Sequence, residues 1–134
     1  MTARALVLSL VVSAAACGGG GGFPDAPAFQ DAAAPGKFQL DWTLQDSSQQ
    51  PVTCEAANAT TVLVIVHDAT DTLSQPFTCA LGNSVSGSIA IGTYDMQITL
   101  QGASGTIAQA PEQDGIVISS LMISTLSPVV FTVP

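Results

Sequence analysis

From Lys37 onward, apolar residues recur at every second position. Phe38, Leu40, Trp42 and Leu44 alternate with Gln39, Asp41, Thr43 and Gln45, the pattern of a strand with one wet face and one buried face. Asp46-Ser47-Ser48-Gln49-Gln50-Pro51 is a loop by composition. Thr60 to His67 is almost continuously apolar and β-branched, which predicts a central strand covered on both faces. Phe77, Cys79 and Leu81 alternate next, and Val85, Gly87, Ile89 and Ile91 follow with Ser84, Ser86 and Ser88 between them, predicting two further strands. Tyr94 to Gln101 alternates, and Gly102-Ala103-Ser104-Gly105 supplies a hairpin turn into Thr106 to Ala110. After Pro111 to Gly115, Ile116 to Ile123 and Val129 to Val133 complete the series. The apolar content of Ile116 to Leu126 also suits a helix, but its Ile, Val, Ser and Thr are poor helix formers. Short strands separated by turns, with no helical pattern between them for parallel crossovers, predict an all-β fold: a single antiparallel β-sandwich of about seven to eight strands.

The pattern before Lys37 is different. Met1 to Arg4 makes a short cationic start, and Ala5 to Ala16 is an uncharged apolar run. As a helix its twelve residues reach roughly 18 Å, well short of a hydrocarbon core of about 30 Å. The run reads as an export signal, residues 1–16; a buried core helix is the rival, but it would lack a polar face and is cut off by Gly18 to Gly22. From Gly18 to Gly36 come three prolines, two aspartates and too little apolar periodicity to bury anything. Residues 17–36 are therefore expected to be a disordered tether, with a coil reach of roughly 25 Å, ahead of a sandwich domain at residues 37–134. A recognition segment around Phe23 and Phe29 is the alternative use of that stretch.

Ala14-Ala15-Ala16-Cys17 resembles the lipobox of bacterial lipoproteins, although Ala14 stands where that family usually has Leu. The resemblance implies a diacylglyceryl group on the Cys17 sulfur, cleavage before Cys17, and a membrane anchor at the new N-terminus. Gly18 in place of Asp after that cysteine implies outer rather than inner membrane. Ala14-Ala15-Ala16 is equally an A-x-A site at which ordinary signal peptidase would cut the same bond. Cysteine parity bears on the choice: of Cys17, Cys54 and Cys79, acylating the first removes the odd thiol and leaves a pair. In an exported domain this size, Cys54 and Cys79 read as a disulfide. The rival is a redox or metal site, for which only His67 remains as a further soft ligand, fewer than zinc usually takes.

Charge narrows the partners. Two Lys+Arg stand against ten Asp+Glu, a formal net charge of −8, and removal of the signal leaves Lys37 as the sole cation. Nucleic acid is excluded as a partner, since binding it depends on clustered cations. His67 is the only imidazole, so any hydrolase proposal runs through it; the expected role is a strand-end histidine hydrogen-bonded to a neighbour. Gly82-Asn83-Ser84-Val85-Ser86-Gly87 lacks the pattern and context of a nucleophile elbow. Asp68 and Asp71 on one loop are a calcium candidate, but calcium takes about six to eight oxygens and the EF-hand spacing is absent, which favours turn carboxylates. Glu55 and Glu112 are isolated, so nothing marks an acid from a base. Asn58-Ala59-Thr60 is a sequon, coincidental in a bacterial lipoprotein. Trp42 is expected in the core rather than as a sugar-stacking platform.

Ile91-Gly92-Thr93-Tyr94-Asp95-Met96 resembles the start of a strand in transthyretin-like and Cna-B-like bacterial modules, which implies a transthyretin-like or Ig-like sandwich. Gly92 would allow a turn backbone, and Tyr94 would point its ring inward with its hydroxyl at the rim. Lys37 sits where some Cna-B modules supply an isopeptide lysine, but no asparagine follows Asn83, so that chemistry is not carried over. The functional expectation is a non-enzymatic, lipid-anchored envelope protein without a cofactor, which offers loops or a strand edge to an envelope protein or ligand. A surface-coating lipoprotein with no specific partner is one alternative, and a small hydrolase using His67 is the other.

Overall fold

A computed structural model describes residues 33–134; the expected export signal, Cys17 and most of the expected tether lie outside the described residues. The chain forms a two-sheet β-sandwich of nine strands: β1 (Lys37–Gln45), β2 (Ala59–His67), β3 (Thr72–Thr78), β4 (Asn83–Val85), β5 (Gly92–Gly102), β6 (Gly105–Gln109), β7 (Gln113–Ile118), β8 (Ile123–Thr125) and β9 (Val129–Thr132). In the first sheet β1 is central, with β4 on one side and β8 and β9 in succession along the other. In the second the order is β3-β2-β5, and β6 and β7 share the remaining flank of β5.

The alternation read from the sequence is the core. Phe38, Leu40, Trp42 and Leu44 of β1 face Val62, Val64 and Val66 of β2 and Met96, Ile98 and Leu100 of β5, with Phe131 of β9 beside them, all buried. Apolar area removed from water in this way contributes about 25 cal/mol per Å², and it fixes register, because a one-residue slip would turn each set outward. β2 differs from expectation: only one face is fully buried. Leu63 and Ile65 lie on the outer face and are half-buried, shielded by their cross-strand neighbours Pro76, Ser74, Thr99 and Gln97. A two-layer sandwich has no third layer to cover them.

Five of the strand pairings are antiparallel, but β1 pairs in parallel with β8 (Phe38↔Ser124) and with β9 (Leu44↔Phe131). The reason is topological. β5 runs away from the end of the sandwich where β1 starts, β6 and β7 run back to it, and the turn at 119–122 passes the chain to the other sheet, heading the same way as β1. The predicted single strand Ile116–Ile123 is thus split between two sheets by that turn. Ala110-Pro111-Glu112 and Leu126-Ser127-Pro128 interrupt the two outer runs, since proline cannot donate to a ladder.

Two other boundaries moved. The predicted Phe77–Leu81 strand is the end of β3 followed by a single 3₁₀ turn, Cys79–Leu81, which Gly82 closes at φ +72°. Leu81 consequently points to solvent. The predicted Val85–Ile91 strand stops at Val85. Beyond it the Ser86 hydroxyl takes over one ladder position, accepting from Phe38 N–H at 2.9 Å and donating to Gly87 O at 2.8 Å.

The chain leads into β1 through Gly36, which is bridged to Ile89 by two 3.0 Å hydrogen bonds. A Cβ here would collide with the Ser119 carbonyl oxygen and lie 2.8 Å from Ile118 Cγ2. Gly36→Ala is therefore expected to destabilise the domain by about 1–3 kcal/mol through overpacking against backbone. The midpoint of urea unfolding measures it, and an unchanged midpoint would mean that the lead-in is not seated against the 119–122 turn.

Candidate functional site

The sandwich has two unlike ends. At the end remote from the lead-in, the Cys54–Cys79 disulfide (Cα–Cα 6.0 Å) joins the β1–β2 loop to the 3₁₀ turn. The loop is shaped by its own hydrogen bonds: Asp46 Oδ1 accepts from Ser48 and Gln50 N–H, Thr53 Oγ1 from Ala56 N–H, and Cys54 O from Ala59 N–H. Asn58, at φ +53°, makes the turn into β2, a conformation asparagine tolerates better than most side chains.

Two open hollows flank the disulfide. One, of about 410 Å³, is lined by Leu44, Pro51, Val52 and the edge of Trp42; the other, of about 580 Å³, by Ala59, Thr60, Thr78 and Ala103. Cys54, Glu55 and Ala80 border both, and Glu55 is the one charged residue in either lining. A mostly apolar floor with a single rim carboxylate suits an apolar group carrying a hydrogen-bond donor or a cation. The sequence marked Cys54 through parity but not Glu55 as part of a site, because the β2–β3 pairing and the disulfide together bring residues 55 and 80 to one rim.

Trp42 belongs to the core. It is 3% exposed, stacks on Phe77 at 6.0 Å and 15°, and donates from Nε1 to Cys79 O at 2.9 Å, which leaves no ring face for a sugar. Tyr94 behaves as expected: its ring is buried and its hydroxyl donates to Ala90 O at 3.0 Å. Gly92 does not form a turn. It is the first residue of β5, where a Cβ would sit 3.2 Å from the Tyr94 ring, so its missing side chain makes room for the aromatic.

His67 ends β2, and its Nε2 lies 2.9 Å from Glu112 Oε1, both side chains being part-exposed. Nothing in the sequence pairs these residues, which are 45 positions apart; the β5–β7 pairing brings them together. A pair so open to solvent contributes at most about 1 kcal/mol. Ser84 is in the other sheet and Ser86 lies just beyond its β4 strand, with its hydroxyl engaged as described.

Asp68 and Asp71 form one tight turn, closed by Asp68 N–H to Asp71 O at 3.0 Å. Asp68 Oδ1 accepts from Thr70 N–H at 2.7 Å, Thr70 Oγ1 at 2.9 Å and Asp71 N–H at 2.8 Å, so that oxygen serves the turn itself. Among the described residues, no three His, Cys, Asp or Glu side chains converge as metal ligands. The backbone N–H groups of Thr70 and Asp71, then the Thr70 hydroxyl, hold the Asp68 carboxyl below its ordinary value of 3.8. With the folded value below the unfolded one, this turn's stabilisation is complete above the unfolded value and is lost as pH falls through the folded one. A carboxyl NMR titration should find Asp68 titrating below the ordinary aspartate value. Titration at the ordinary value would mean that the turn does not form in solution.

Compared with known proteins, the chain matches no family model and no curated protein.

Proposed function

We propose that the protein is a lipoprotein of the bacterial outer membrane, acylated at Cys17, whose β-sandwich presents its disulfide-stapled end to an envelope protein or ligand. One observation carries the reading: the chain leads into the domain at one end of the sandwich, and the hollows around Cys54–Cys79 lie at the opposite end. A chain anchored upstream of Pro35 leaves that end of the sandwich unobstructed by the anchor.

Recognition through loops fits better than strand addition. β3 contains Pro76, β4 is three residues long, and the outer runs of β6–β7 and β8–β9 are interrupted next to Pro111 and Pro128. Each device shortens the row of free backbone groups that an incoming strand needs.

Intact mass of the protein extracted from membranes tests the anchor. The expected species begins at Cys17, carries acyl mass and lacks two hydrogens for Cys54–Cys79. A chain starting at Cys17 with no added mass would refute the lipoprotein assignment. Crosslinking in whole envelopes from a photoreactive group at Glu55 tests presentation: one stoichiometric partner is expected, and its absence would favour the surface-coating role.

A further inference from the structure

We infer that the turn between β7 and β8, with the β1 lead-in beside it, is a tip that dips into the lipid headgroup region next to the anchor. The inference rests on the lipoprotein reading above and adds a second, non-covalent contact with the bilayer.

Five exposed apolar side chains gather at the end of the sandwich where the chain leads in: Ile91, Val117, Leu121, Met122 and Ile123. Leu121 is 85% exposed and Met122 62%. Leu121 also stands at φ +58°, a left-handed conformation that favours glycine or asparagine. Neither burial nor backbone preference accounts for a leucine there, whereas contact with an apolar phase does. Isolated exposed apolar residues are ordinary, but Leu121, Met122 and Ile123 are consecutive and line one hollow, and such grouping marks a contact surface.

The place where the outside chain arrives says what that surface meets. Leu121 N–H donates to Pro35 O, and Lys37 N–H to Met122 O at 2.9 Å, so the polypeptide coming from Cys17 is fastened to the turn itself. Seventeen residues separate Cys17 from Pro35, a distance of at most about 65 Å even when fully drawn out. Membrane attachment at Cys17 thus brings this end of the sandwich within reach of the lipid.

Lys37 is the sole Lys or Arg among the described residues, and it lines the hollow formed with Pro35, Ser88, Leu121 and Met122, within reach of lipid phosphates. Carboxylates flank the same end. Asp95 lies opposite His67, three residues of β5, roughly 10 Å, from Gly92↔Ile118. Asp114 and Glu112 stand beside them, and the Asp68–Asp71 turn runs on from His67 toward that end. The contact is therefore carried by the apolar side chains of the 119–122 turn and not by net charge.

The experiment uses the full chain, acylated and reconstituted into phosphatidylethanolamine–phosphatidylglycerol vesicles, with a thiol-reactive environment-sensitive fluorophore at Ser120→Cys or, at the opposite end, Ser47→Cys. Both positions are exposed, and the other cysteines are acylated or in the disulfide. The expected result is blue-shifted emission at position 120, quenched several-fold more strongly than position 47 by headgroup-nitroxide lipid; Leu121→Asn with Met122→Ser should abolish that excess while flotation persists. Vesicle flotation without quenching at 120 would overturn the tip and leave the anchor standing. A blue shift that nitroxide lipid does not quench would also overturn it, showing the surface covered by the N-terminal segment or a second copy. Failure to float would refute the anchor, and the tip with it.

Discussion

Trp42→Ala is expected to destabilise the domain by about 4 kcal/mol, within the range for deleting a buried aromatic side chain. Three losses combine. The indole is 3% exposed and fills the centre of the sandwich against Phe77, so its removal opens a cavity that β1, held on both sides by other strands, cannot collapse into. The stacked contact with Phe77, itself edge-on to Phe38 at 6.0 Å, disappears. The Cys79 carbonyl loses its 2.9 Å indole donor and keeps only the 3.3 Å bond from Gly82 N–H, a net loss of about 0.5–1.5 kcal/mol. Trp42→Phe keeps much of the volume and forfeits the hydrogen bond, so it should lie between wild type and alanine. Guanidinium unfolding followed by far-ultraviolet circular dichroism measures both, since the sole tryptophan is the residue changed. A loss under about 1.5 kcal/mol for the alanine variant would place the ring at the periphery of the core.

Replacing both Cys54 and Cys79 by alanine should cost about 3.5 kcal/mol in the chain-entropy account, because the bond closes a loop with a sequence separation of 25. Against the 5–15 kcal/mol typical of a whole domain that loss is large, and for about 98 residues it corresponds to a fall in Tm of roughly 15–25 °C. Reductant added to the wild-type protein should reproduce most of the fall. A Tm indifferent to both treatments would contradict the bond. The two perturbations are not independent, since Trp42 donates to the backbone of Cys79. A cycle combining Trp42→Ala with the cysteine pair should depart from additivity by 0.5 kcal/mol or more, on the order expected of residues in contact.

These two large effects were legible to different degrees. The period-two pattern marks Trp42 as inward-facing, and parity marks the cysteines as partners. The hydrogen bond between them is not legible, because Cys79 sits on a 3₁₀ turn that alternation presents as strand. Ser86 is similar: its N–H still donates to Phe38 O as a ladder residue would, but its hydroxyl takes the place of the carbonyl that would accept from Phe38 N–H. Side-chain atoms that take over backbone partners leave no trace in hydrophobic periodicity. His67 was expected to find a neighbour, and it has Glu112, yet only the pairing of β5 with β2 and β7 brings the two together.

By itself the amino-acid order determined which residues turn inward in β1 and β5, because burial on one face of a pleat imposes period two and a slip reverses it. It also determined the loops between them and the pairing of Cys54 with Cys79. Tertiary structure alone decided that β8 and β9 run parallel to β1, that the outer face of β2 is half-wet, and that Glu55 joins the hollows at one end while Leu121 and Met122 gather at the other. Local patterning records how each segment divides its faces between water and core. Which segments become neighbours depends on contacts between residues far apart in the chain, such as Leu44 with Phe131 or Gly36 with the turn at 119–122, and no short stretch of sequence carries that information.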